Sequence, residues 1–307
     1  MSNQSVYATC PIYNYWQEHL WNGETAQVRC IDDTVTDGYV KETIAGWKIR
    51  YEPGVFEYEP TLRDILTQDL NWMRDTLPAS ALHTLRDLRF YVNKDYQYPN
   101  PSDSGGSAVV CHWSPIWLST HGNAAEKQSH VEFYDVKKYV SWRGGQPSIV
   151  LHESAHALHW RKMDEKGAEI SNTYYAGIAD GKYDSVNYIY GGTYEAYAKV
   201  NPNEYFAEAT EAFFSGTHNG QYYRNDYFPY AKDDLLNFDF GAHELVRELW
   251  YEETGKISFV NTHIMHMACV AIYILYYLYH NIKKMFIYLG HKQHIICIIL
   301  TFIRYAP

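Results

Sequence analysis

From Thr262 to Pro307 the chain contains no aspartate or glutamate, 46 residues without a single acid, where about one residue in eight of an ordinary domain is acidic. Such a stretch is not ordinary domain sequence. Met267 to Tyr279 and Ile295 to Ile303 are strongly apolar, but neither reaches the ~20 residues needed to cross a bilayer, and Lys283 with Lys284 interrupts any longer span. A clean transmembrane anchor is therefore disfavoured. The Ile, Tyr and His bias of the tail fits an alternative end or translated non-coding sequence better, and membrane association is expected only if the 262–307 tail is genuine.

Cysteine is scarce as well. There are five, an odd number with two in the tail, which excludes a disulfide framework; only Cys10 with Cys30 could pair, and only in an oxidising compartment. Positive charge is also in short supply. The tail's four Lys and Arg leave 22 basic against 36 acidic residues in 1–261, a net of −14, which argues against a nucleic-acid partner and favours solubility. Met1 to Cys10 lacks the charged start and apolar run of a secretory signal. Read literally, the chain is cytosolic.

What the sequence does contain is His152-Glu153-Ser154-Ala155-His156, an H-E-x-x-H pattern inside a stretch that reads as one amphipathic helix from Pro147 to Met163. Two histidines four apart lie one above the other on a helix of about 3.6 residues per turn, so both imidazoles reach one ion. Glu153 is expected to hold a water in the open position of a catalytic zinc and act as its general base. With 15 histidines in the chain, chance is the competing explanation. Against it stand Ile149, Val150, Ala155, Ala157 and Leu158, which bury the helix, and a buried row of His, Glu and His needs a partner that a metal supplies.

A third ligand must come from elsewhere. The metzincin spacing requires Gly at 159 and His at 162, where this chain has His159 and Lys162; His159 is expected to pack or hydrogen-bond. Downstream, Asn201 to Phe214 reads as a second helix with a polar cap and a proline in its first turn. Glu204 and Glu208 share a face of it. Glu204 is the expected zinc ligand, and Glu208 the carboxylate that takes the N–H of a ligand histidine and sets its tautomer. Glu204 also sits where a capping-box carboxylate belongs, and Glu208 or Glu211 stays open as the ligand instead.

The pairing of H-E-x-x-H with Glu204-Tyr205-Phe206-Ala207-Glu208 resembles the lethal-factor-like zinc metallopeptidases, whose third ligand lies in a similar Glu-Phe-Phe-Ala-Glu helix. The resemblance runs over about residues 46–250. It includes Gly46-Trp47, Leu77-Pro78, His112 with Trp117-Leu118, Val131-Glu132 before Trp142, and Asn225-Asp226-Tyr227-Phe228-Pro229-Tyr230. It implies an α+β zincin-like (gluzincin) fold, one catalytic zinc, a peptide or protein substrate, and a leaning towards secretion. It also implies that Tyr197, seven residues before Glu204, assists at the scissile carbonyl. Chemistry supports a phenol donor at the developing oxyanion, although among 30 tyrosines Tyr190 and Tyr194 are near enough in sequence to take that role.

His112 could line the cleft but reads as a satisfied buried histidine, and Cys111 as a core thiol. The architecture is expected to comprise an extension over 1–45, a catalytic domain over 46–261 with a mixed sheet, and the tail. Within the domain, helices are expected over Pro60–Thr76, Ser80–Leu88 and Ala242–Glu252, and strands over Leu88–Val92, Ala108–Trp113 and His130–Trp142, with a loop from Pro99 to Gly106. A strand of the sheet should border the cleft and pair with an extended peptide. The function expected is a zinc-dependent peptidase. The alternative is a catalytically silent, zinc-scaffolded binding module, against which the intact Glu153 argues.

Overall fold

The computed structural model describes residues 38–97 and 106–251. Cys10 and Cys30, most of the Pro99–Gly106 loop and the 262–307 tail lie outside the described residues. The chain divides into two units, Met1–Glu252 and Glu253–Pro307, and the described residues all belong to the first.

Strands β1 (Val40–Ile44) and β2 (Trp47–Tyr51) form an antiparallel hairpin. Its turn residues Ala45 and Gly46 both have positive φ, 53° and 91°, the backbone a two-residue hairpin turn demands and the reason glycine stands at 46. After a single turn α1 (Val55–Tyr58), helix α2 (Leu62–Thr76) buries Leu62, Leu66, Leu70 and Met73 at helical spacing. Short α3 (Ala79–Thr84) then leads into β3 (Arg89–Val92). β4 (Val109–Cys111), α4 (Pro115–Thr120) and β5 (Val131–Phe133) complete the sheet. Its order is β1-β2-β3-β5-β4, with β2, β3 and β5 mutually parallel and β1 and β4 antiparallel at the two edges.

The segment His130–Trp142, expected to be strand, divides in two. Only Val131–Phe133 pairs in the sheet, and Val136–Trp142 is helix α5, because the Asp135 carboxylate accepts hydrogen bonds from the backbone N–H groups of Lys137 (2.9 Å) and Lys138 (3.0 Å) and so caps a helix start. Helix α6 (Ile149–Arg161) is shorter than expected: Pro147 lies in the preceding turn, the N-cap is Ser148, and Lys162 separates it from α7 (Met163–Ile178). Every residue from Ile149 to His159 is buried, so α6 is a central helix with protein around most of its circumference rather than an amphipathic surface one. A small hairpin of β6 (Val186–Asn187) and β7 (Thr193–Tyr194) precedes α8 (Pro202–Phe213). The hairpin β8 (Gly216–His218) and β9 (Gln221–Tyr223) and helices α9 (Lys232–Phe238) and α10 (Phe240–Tyr251) come after it. The architecture is α+β with a mixed sheet. Among the described residues no helix is long and apolar enough to cross a membrane.

Trp47, Ile49, Phe90, Val92, Val131 and Phe133 alternate onto one face of the sheet and join the apolar core. The opposite face carries Glu132, fully buried, which must be paired to be tolerated there. It accepts hydrogen bonds from Asn93 Nδ2 (2.8 Å) and Asn123 Nδ2 (2.9 Å), lies 2.6 Å from His112 Nε2, and pairs with the Lys127 ammonium. His112 is therefore the satisfied histidine the sequence suggested. A second buried acid, Asp69 on α2, is bound by Arg143 Nη2 (2.6 Å), Tyr139 Oη (2.5 Å) and Tyr223 Oη (2.7 Å), which ties α2 to α5 and β9.

Candidate active site

Helices α6 and α8 pack directly against one another, and the site forms where they meet. Asn201 caps α8, its Oδ1 accepting from the N–H of Asn203 (2.8 Å) and of Glu204 (3.0 Å), with Pro202 in the first turn. That cap points the first turn of α8 at α6. The Glu204 carboxylate turns towards the histidines: its Oε2 lies 3.0 Å from His152 Nε2 and 3.3 Å from His156 Nε2. The two imidazoles stand edge to face with centroids 4.8 Å apart. One ligand atom from each of His152, His156 and Glu204 falls within 4.8 Å of the others. Burial alone would raise the Glu204 pKa, but hydrogen bonds from His152 and His156 hold it well below the usual carboxylate range.

Two imidazole nitrogens and one carboxylate oxygen fit a four-coordinate ion that keeps one position open. The open side is a cleft of about 610 Å³ lined by His152, Glu153, His156 and Glu204 together with Val109, Val110 and Cys111 of β4 and the aromatic side chains of Trp142, Tyr188, Tyr190, Tyr197 and Tyr227. Glu153 lines it from α6. Its Oε2 accepts the backbone N–H of Cys111 at 2.6 Å. Cys111 belongs to the edge strand and turns that N–H away from β5, whose side is served by the neighbouring His112 N–H donating to His130 O at 3.2 Å. One backbone donor of β4 thus fixes the Glu153 carboxylate. Burial pushes its pKa up, opposed by His156 and His152.

Tyr197 opens a 3-10 turn at Tyr197–Lys199 ahead of α8. It is 43% exposed, lines the cleft, and has its ring centroid 6.4 Å from that of His152. Burial and the neighbouring Glu204 push its phenol up to about 12, so it remains a proton-bearing donor at neutral pH. Tyr190 also lines the cleft; Tyr194 is not among the lining residues.

The other residues singled out in the sequence are placed as follows. The Nδ1 of His152 lies 2.7 Å from Glu211 Oε1 and 3.7 Å from Glu208 Oε1, so the hydrogen bond expected for Glu208 goes to Glu211, one helical turn further along. The i, i+4, i+7 spacing of Glu204, Glu208 and Glu211 was a visible signal that all three share a face; which one meets Nδ1 depends on how α8 crosses α6. Cys111 packs against the apolar core, as expected, and also lines the cleft, and burial raises its thiol pKa well above the usual range. That its N–H anchors Glu153 had no sequence signal, because a backbone donor leaves no trace in residue identity. His159 takes no part in the cluster: it is buried, stacks parallel to Trp160 at 5.3 Å and meets the Phe206 ring edge-on. In comparisons with protein-family models, curated proteins and solved structures, nothing matches this chain.

Proposed function

We propose that this chain is a zinc-dependent peptidase of the zincin type, as the resemblance to lethal-factor-like metallopeptidases implies, acting on peptide or protein substrates. The observation that carries the reading is the convergence of His152, His156 and Glu204 beside Glu153 on the floor of an open cleft. A purely structural zinc site would be expected to close its fourth position with another side chain. Zinc is preferred to other ions because the donor set mixes imidazole with a single carboxylate.

When bound, the ion would act as a Lewis acid towards the scissile carbonyl and lower the pKa of a water. The remaining work belongs to side chains. Glu153, held by the Cys111 N–H, takes a proton from the attacking water and returns it to the leaving amine. Tyr197 donates its phenolic hydrogen to the oxyanion. The edge strand β4 offers the outer backbone groups that Glu153 does not take to an extended peptide lying antiparallel or parallel to it, and the aromatic side chains that line the cleft contact that peptide. The test is a diverse peptide mixture incubated with the zinc-loaded chain and, separately, with Glu153→Gln, read by mass spectrometry. Cuts made only by the wild type support a peptidase; no cuts with one zinc tightly bound would overturn it in favour of a binding module.

A further inference from the structure

The turn between α5 and α6 carries Gly144 and Gly145, and Gly145 lines the cleft. Its backbone does not require glycine, since its φ lies outside the left-handed region in which Gly191 (94°) and Gly192 (83°) are found. What the position requires is the missing side chain. A Cβ at Gly145 would stand 2.7 Å from both Cε2 and Oη of Tyr190 and 3.0 Å from Cζ, well inside van der Waals contact. Tyr190 lays the end of its ring directly on the Gly145 backbone. Gly145 is buried, while Tyr190 itself is 70% exposed and also lines the cleft.

The ring is held there by the backbone that carries it. Tyr190 is at the tip of the β6–β7 hairpin, where the Tyr188 N–H donates to Gly192 O (3.1 Å) and the Gly191 N–H to Tyr188 O (2.9 Å). The hairpin is pinned in turn to the segment after β9: the Ile189 N–H donates to Asp226 O and the Phe228 N–H to Asn187 O, both at 2.9 Å, and the rings of Tyr188 and Tyr227 lie 4.9 Å apart. Tyr188 also meets the Tyr190 ring edge-on, with centroids 5.7 Å apart. The main chain of the tip is therefore fixed, and the Tyr190 side chain decides how much of the cleft is open beside Gly145.

We propose that Tyr190 is a specificity-determining residue: seated on Gly145, it fills this end of the cleft and restricts the substrate residue taken there to a small side chain, of alanine or serine size. The inference rests on the proposed peptidase function and names part of its substrate class. No substrate side chain can enter between the ring and Gly145, because ring atoms already stand where a single methyl group would go. A bulky side chain would have to push the ring off Gly145 and out into solvent, and so loses binding that a small one keeps. Selection of this kind works by rejecting the larger competitor.

The test uses the full zinc-loaded chain and matched peptides that carry alanine or naphthylalanine at each position around the scissile bond. At one of these positions the wild type is expected to prefer alanine, and Tyr190→Ala to shift the ratio of rates towards naphthylalanine by at least about tenfold. Tyr190 is exposed, so its truncation opens no cavity in the core. Tyr190→Phe, which keeps the ring, is expected to keep the wild-type ratio. Gly145→Ala displaces the ring and is expected to change the same ratio when Tyr190 is present, and to have little effect in the Tyr190→Ala background. A Tyr190→Ala ratio equal to wild type, poorer acceptance of naphthylalanine, or a Gly145→Ala effect as large without the ring as with it overturns the proposal. The same variants are read by binding of zinc-chelating peptide hydroxamates that extend from the metal in either direction and carry the same two side chains. Selective hydroxamate binding that Tyr190→Ala relaxes, with no cleavage of any peptide, would sink the peptidase function and keep this inference; cleavage with an unshifted ratio would do the reverse.

Discussion

Replacing Glu153 by glutamine separates the proposed base role of this side chain from everything else it does. The amide is nearly isosteric with the carboxyl, and its carbonyl oxygen can accept the same Cys111 N–H that now reaches Oε2 at 2.6 Å. The substitution exchanges a charge-assisted hydrogen bond for a neutral one, a loss of about 1 kcal/mol. It also removes a buried carboxylate whose pKa burial already raises, so the net stability change is expected to be small. His152, His156 and Glu204 are untouched, and one equivalent of zinc should be retained. What disappears is the group proposed to accept and return a proton. General acid–base catalysis contributes about 10²- to 10⁴-fold, on the order of 3–5 kcal/mol of barrier. The assay is initial cleavage rates on peptides that the wild type cuts, with metal content measured on the same samples. Turnover within about tenfold of the wild type, zinc retained, would refute Glu153 as the base.

Glu204→Gln should weaken zinc binding by at least about 100-fold in competition with a chromophoric chelator, since a ligand matters more than the supporting contacts whose loss costs 10- to 100-fold; undiminished affinity would move the carboxylate ligand to Glu208 or Glu211. Tyr197→Phe should lower kcat by about 100-fold with little change in KM, and a larger loss in Tyr190→Phe would transfer the oxyanion role to that residue. Removing metal with a chelator should lower the Tm reversibly, because an ion that binds only the folded chain stabilises it by mass action; a Tm indifferent to zinc would count against the site. In Glu132, burial alone would raise the pKa, but His112 and Lys127 bring it down to about 2. A folded pKa below the unfolded value near 4.5 means that this group's stabilisation, on the order of 3 kcal/mol, is complete above that value and is lost as pH falls towards 2. Acid unfolding of Glu132→Gln should be correspondingly flatter than wild type over that window, and identical curves would show that Glu132 contributes nothing to the acid limb.

The residues that concentrate chemistry were legible in the chain before any coordinates, because their spacing is dictated by local geometry. His152 and His156 lie one turn apart on any α-helix, and Asn201-Pro202 announces a helix start wherever it is placed, which puts Glu204 in a first turn. The α2 stripe of Leu62, Leu66, Leu70 and Met73 was readable for the same reason. Where local signals competed, reading by residue type went astray: the apolar residues after His130 have strand character, yet the Asp135 side chain captures two backbone N–H groups and starts a helix.

What only the tertiary structure decided is everything that depends on how two elements cross. That α8 meets α6 at an angle bringing Glu204 to both histidines, and Glu211 rather than Glu208 to Nδ1, comes from packing between helices some fifty residues apart in sequence. That the Cys111 N–H holds Glu153 comes from β4 being an edge strand with one row of backbone groups facing away from the sheet. Spacing along one element determines which side chains share a face; only the close packing of separate elements, enforced by burial of their apolar surfaces, determines which faces meet.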